Sequence, residues 1–329
     1  MRIAIVRLSA LGDIIHTASV LQFIKKKIPD IKIDWVVEER FSKILENNPD
    51  IDTIIKADLK SIKKDKKAIF KEIKRFKKLN GYDLVIDFQG LIKSAISSRL
   101  ISKNVAGYDK DSIRESLSSY LYRYKYHIPY HLNTIDRYRL LASYALNIDI
   151  SKDEVLEKSP YLFFKEEDFK KSKPYFSKDK KNIIFIVGAN WQSRIYPKEC
   201  LLKVANNLDA NILIPHANES EQKDAMWLEK KASNIKILPK MDLNELKATI
   251  SNADLLIGND TGPSFIAWAN NIPSIILFGP TPTSRIYTSK ISKTLKSSSK
   301  VDPYQLNKND FSIKEIEPQD IVKLARSLL

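Results

Sequence analysis

Short apolar runs alternate with amphipathic stretches along nearly the whole chain, and few folds accept that rhythm. In the first half, residues 2–7, 33–37, 53–56, 84–87 and 104–106 read as strands, with helical patterns at 14–27, 41–47, 62–79 and 92–101 between them. In the second half, strands at 183–187, 212–215, 235–237, 255–258 and 274–278 alternate with helices at 197–208, 219–231, 243–252 and 263–269. This order predicts parallel sheets with helices on both faces, because parallel neighbours need a crossover and the crossover helix lies on the sheet. Residues 111–146 are mainly helical and rich in Tyr and Arg, and residues 149–181 are densely charged, with Pro160 and Pro174. The expectation is a doubly wound α/β protein of two domains, 1–165 and 166–329, with a last helix at 318–328 that either domain can hold.

Bulk properties narrow the class further. A length of 329 residues suits two domains of ordinary size. Cys200 is the one cysteine, so an intrachain disulfide is excluded. The apolar run 3–6 is broken by Arg7 and is too short for a signal peptide. No window approaches the roughly 20 apolar residues that cross a bilayer. A soluble, unexported, cytoplasmic protein is expected. The formal charge is +15, with much of the excess in residues 56–78. Such a stretch attracts nucleic acid, anionic head groups or a phosphorylated substrate, and a solvated helix face explains it equally well.

Three stretches place chemistry where strands end, the edge at which open α/β sheets bind ligands. RLSALGDIIHT (7–17) follows the first strand and contains Gly12 without a GxGxxG pattern. Asp13 stands at a helix start, where amides and the dipole favour a carboxylate. It reads either as a base for a sugar hydroxyl or as a plain N-cap. His16 lies one turn on. GNDTGPSFIAWA (258–269) opens a helix at Asp260-Thr261-Gly262, a setting suited to pyrophosphate or to simple capping. VGANWQSRIYPKE (187–199) brings Arg194 to neutralise a departing diphosphate, with Asn190 and Ser193 as hydrogen-bonding neighbours. PHANESE puts Glu219 and Glu221 within reach of a nucleoside ribose, and FGPTPTSRIY turns at Gly279-Pro280-Thr281. The D-x-D pairs Asp50/Asp52 and Asp109/Asp111 fit surface turns, and there is no Cys cluster or HExxH, so no metal site is expected.

Read in order, these segments resemble the bacterial ADP-heptose:lipopolysaccharide heptosyltransferases, and within them the type I branch, over essentially the whole chain. The resemblance rests on RLSALGDIIHT, IDWVVEER, YDLVIDFQGLIKSA, RESL, LPKM, GNDTGPSFIAWA and FGPT. It implies a GT-B fold, two Rossmann-like domains facing a central cleft, with acceptor on the N-terminal and donor on the C-terminal domain. It implies inverting, metal-independent transfer of L-glycero-D-manno-heptose from ADP-heptose to the inner Kdo of Kdo-lipid A. ADP-heptose is then a co-substrate and no cofactor is expected. It further implies peripheral contact with the cytoplasmic face of the inner membrane and no nucleic-acid partner. By family match, Asp13 is the general base. Asn190, Arg194, Glu221, Asp260, Thr261 and Gly262 bind donor, and Ser9, Gly12, His16, Arg114, Lys63 and Lys64 bind acceptor.

The chain departs from the family pattern at three places. Ala189-Asn190 replaces a common Thr-Thr, Arg194 a lysine, and Phe265 a histidine. Arg for Lys keeps the charge and changes the geometry. Other readings are a heptosyltransferase acting on the next core acceptor and a Rossmann-type oxidoreductase with Glu38 or Glu39 on the ribose. A non-catalytic protein binding nucleic acid or anionic lipid is a further one. The missing glycine fingerprint opposes the oxidoreductase, and motifs in both halves oppose a mere charge platform.

Overall fold

The computed structural model describes residues 1–58 and 66–329, with the backbone alone for 66–68. Lys63 and Lys64, and the expected start of the helix at 62–79, lie outside the described residues. The chain forms two compact units, Met1–Tyr161 and Leu162–Leu329.

Unit one is built on a parallel six-stranded sheet in the order β3-β2-β1-β4-β5-β6. Its strands are β1 Arg2–Val6, β2 Lys32–Glu38, β3 Thr53–Ala57, β4 Leu84–Asp87, β5 Val105–Tyr108 and β6 Tyr124–Tyr126. The order reverses at β1, where Ile3 pairs with Ile33 on one side and with Leu84 on the other. Apolar runs such as Ile3–Val6 are buried on both faces, which is why they read as continuous rather than alternating strands. The sixth strand was not expected. Tyr124-Lys125-Tyr126 lies at the sheet edge with its side chains mostly open to solvent, so no apolar run marks it.

Unit two repeats the topology in the order β12-β11-β10-β7-β8-β9. Its strands are β7 Asn182–Ile186, β8 Asn211–Ile214, β9 Ile235–Ile237, β10 Leu255–Asn259, β11 Ser274–Phe278 and β12 Ser292–Lys296. The edge strand β12 (SKTLK) was again missed for want of apolar residues. The last helix, Pro318–Leu328, settles on this unit. Ile321, Val322 and Ala325 are buried in one cluster with Ile183, Leu201, Val204 and Ile275. Each aliphatic side chain buried in this way contributes about 1.5–3 kcal/mol.

The fold fixes where chemistry can occur. All strands in each sheet are parallel, so Arg7, Phe88 and Asp260 leave their strands on the carboxyl edge of their own sheet.

Candidate active site

On unit one, β1 ends at Val6 and the chain turns through a cis Ser9–Ala10 peptide into the helix Leu11–Ala18. The N-cap of that helix is Ala10, which has no side chain to cap it, so Asp13 is not the cap. Asp13 lies in the first turn, and its carboxylate receives Arg7 Nη2 at 2.7 Å and the Tyr138 hydroxyl at 3.3 Å. Arg7 is buried, donates to the Phe88 carbonyl at 2.7 Å, and lies 5.3 Å from the Tyr138 ring centre. Burial opposes the Arg7 charge, yet Tyr138, Asp13 and Tyr108 outweigh it and raise the guanidinium's pKa. Burial also raises the Tyr138 hydroxyl above its ordinary value, so it remains a donor at neutral pH. A carboxylate held by a fixed cation and a fixed hydroxyl at the carboxyl edge is placed to accept a proton.

A second layer surrounds this group. The Ser9 hydroxyl accepts from Lys93 Nζ at 3.1 Å and from Gln89 Nε2 at 3.3 Å. Gln89 Oε1 takes the Leu8 amide at 2.9 Å, and Lys93 also reaches Glu38 at 3.0 Å. Gln89 is held in turn by Asp87, which accepts from the amides of Gln89 and Gly90, from Ser94 and from Tyr122. Burial raises the Asp87 pKa against those four hydrogen bonds. Gly90 has φ +66°, a left-handed turn that suits glycine and brings Gln89 back toward β1.

Of the expected acceptor residues, Ser9, Gly12 and His16 lie in the turn and helix after β1, and Arg114 in the loop after β5. Ser9 belongs to this network, and Gly12 is buried in the helix. His16 is fully buried, with 0% exposure, on the helix that carries Asp13. Arg114 is exposed in the loop after β5, and its neighbour Glu115 accepts from the Ile92 amide at 2.7 Å. Of the D-x-D carboxylates, Asp52 and Asp109 have partners within unit one. Asp52 accepts from the Ile33 amide, and Asp109 from Ser112 and His127.

On unit two, the equivalent edge is built around Asn259, the last residue of β10. Its side-chain amide donates to the carbonyls of Ile186, Val187 and Gly188, and its oxygen accepts from the Tyr196 amide at 3.0 Å. This fixes the loop that carries Asn190, which is exposed, and Arg194, which is buried. Gly188 leaves room for Glu221. A Cβ at that position would lie 2.1 Å from Glu221 Oε1. Glu221, in the helix Glu219–Glu229, is held by the Ala217 amide at 2.7 Å and by Asn218 at 2.9 Å.

Asp260 directly follows β10. It is 1% exposed, hydrogen-bonded to Arg194 and to the Thr281 hydroxyl at 2.6 Å, and ion-paired with Arg285 at 3.2 Å. A carboxylate so enclosed requires such partners, since an uncompensated buried charge is strongly destabilising. Thr261 is the N-cap of the helix Gly262–Ala269, and its side chain makes no capping hydrogen bond. Arg7, Gln89, Lys93, Asn259, Thr281 and Arg285 all lie inside segments singled out in the sequence, but nothing local assigned them a role. Tyr138 had no signal at all.

The comparisons with known proteins agree on one family. Residues 69–314 match the family model of glycosyltransferase family 9 (heptosyltransferase). The lipopolysaccharide heptosyltransferase 1 of Campylobacter coli is 40% identical, covering 100% of this chain and 99% of that protein. The Escherichia coli K12 protein of the same description is 30% identical over 85% of this chain and 88% of its own length. Among solved structures, E. coli heptosyltransferase WaaC with ADP-2-deoxy-2-fluoro heptose aligns with TM-score 0.80 at 25% identity, covering both chains fully.

Proposed function

The chain belongs to glycosyltransferase family 9, the heptosyltransferases, and from that membership we propose that it adds the first heptose of the lipopolysaccharide inner core. It is a glycosyltransferase of GT-B fold. The donor in this reading is ADP-L-glycero-D-manno-heptose and the acceptor is the inner Kdo of Kdo-lipid A. The carrying observation is the end-to-end 40% identity to a lipopolysaccharide heptosyltransferase 1.

The mechanism is a direct displacement with inversion, routed through no metal. Asp13 takes the proton of the acceptor hydroxyl as that oxygen bonds to the anomeric carbon of the heptose. Its contact with Arg7 favours the charged carboxylate, so proton transfer comes late, after C–O bond formation has made the hydroxyl acidic. ADP leaves with its charge held by Arg194 and by the helix N-terminus at Thr261-Gly262. Glu221 takes the ribose, and Asn190 lies beside the phosphates. Ser9, Gly12 and Arg114 serve the acceptor. Among the described residues no helix is long and apolar enough to cross a membrane. The enzyme in this reading meets the cytoplasmic face of the inner membrane peripherally.

The test is ADP release by the purified protein given ADP-heptose with Kdo-lipid A, with no acceptor, or with an already heptosylated core. Release with Kdo-lipid A alone, and a heptose-sized mass gain on it, is the expected result. Release only with the heptosylated core would move the enzyme one step later.

A further inference from the structure

The Asp260 cluster brings a second arginine beside Arg194. One enclosed carboxylate is shared by two guanidinium groups, Arg194 on Oδ2 and Arg285 Nε on Oδ1 at 3.2 Å. Thr281 donates its hydroxyl to Oδ2, the oxygen that Arg194 also holds. Arg194 lies 5.2 Å from the Trp191 ring centre, and Lys308 shares that ring at 5.1 Å. Two guanidinium groups are thus brought side by side on one carboxylate.

Several donors converge on the same edge. The helix Gly262–Ala269 begins two residues after Asp260 and offers the positive end of its dipole. The hydroxyl of Ser193, beside Arg194 in the chain, is fully buried and has no hydrogen-bond partner among the described residues. Arg285 follows the Gly279-Pro280-Thr281 turn after β11, and its guanidinium is ion-paired with Asp260. Its side chain keeps 26% exposure against 10% for Arg194, so it is the more accessible of the pair.

We propose that Arg285 is a second cationic ligand of the donor diphosphate, held beside Arg194 by Asp260. The planar fork of an arginine suits two phosphate oxygens, and Asp260 becomes a positioning residue that orients both forks. The proposal rests on the donor reading above and adds a residue to it.

The experiment measures binding of ADP and of adenosine to the full-length wild type, Arg285→Gln and Arg285→Lys. Arg285→Gln is expected to weaken ADP roughly tenfold or more while leaving adenosine within about twofold, as the loss of one charge-assisted phosphate contact requires. Arg285→Lys is expected to recover part of the ADP affinity. Unchanged ADP binding in Arg285→Gln would overturn the proposal alone. Equal loss for ADP and adenosine would also overturn it, since collapse of the loop does not distinguish the two. A wild type that binds neither would overturn the donor reading itself.

Discussion

Asp13 carries its charge between a buried guanidinium and a tyrosine hydroxyl, and each partner limits it differently. Arg7 fixes one oxygen at 2.7 Å and favours the ionised form, while Tyr138 steadies the other at 3.3 Å. Asp13→Asn keeps the size and both contacts in altered form, so the unit is expected to stay folded. With the base gone, kcat is expected to fall by about 10²–10⁴ with ADP-heptose affinity unchanged. A steady-state and equilibrium-binding comparison checks this, and retained turnover would remove Asp13 from the role. Residue type and chain position pointed to Asp13, whereas Tyr138 lies 125 residues away and no local pattern announces it.

At the scale of elements, the parallel strands were legible because burial on both faces demands unbroken apolar runs, as in Ile183–Ile186 and Leu255–Ile257. Edge strands β6 and β12 escaped because one side of each faces solvent and polar residues are tolerated there. The first helix begins at Leu11, earlier than its apolar pattern indicates, because the turn after β1 continues directly into it. Gly188 shows how two elements meet at one atom. It lies two residues past β7, where the helix Glu219–Glu229 brings Glu221 against the backbone. Gly188→Ala must push Glu221 off its hydrogen bonds to Ala217 and Asn218. A stability loss of about 1–3 kcal/mol is expected from the overpacking, together with weaker ADP binding. Denaturant midpoints and ADP titration check the two effects, and an ADP affinity equal to wild type would free Glu221 from the ribose.

At the scale of the molecule, stability responds to pH through a group far from any motif. Lys158 is buried in unit one, 5.6 Å from the Tyr161 ring centre, and desolvation lowers its pKa to about 7 from 10.5. Between those values the unfolded chain holds a proton that the folded chain releases, so raising pH through that window stabilises the fold. Below about pH 7 the cost of burying the charge is felt in full. Lys158→Met is expected to raise stability by a few kcal/mol at most (~1.4 per pKa unit) at pH 6, with the gain fading toward pH 10. Urea unfolding at both pH values checks it; an equal gain at both would mean that Lys158 does not lose its proton on folding. The amino-acid order alone determined the two α/β units, the strands of each sheet interior and the segments that carry the chemistry. Those features follow from burial periodicity and from neighbours along the chain. Tertiary structure alone decided that Arg7 and Tyr138 grip Asp13, that the last helix joins unit two, and that Asp260 is spent on two arginines. These contacts join residues up to 125 positions apart, and only packing brings such side chains within hydrogen-bond reach.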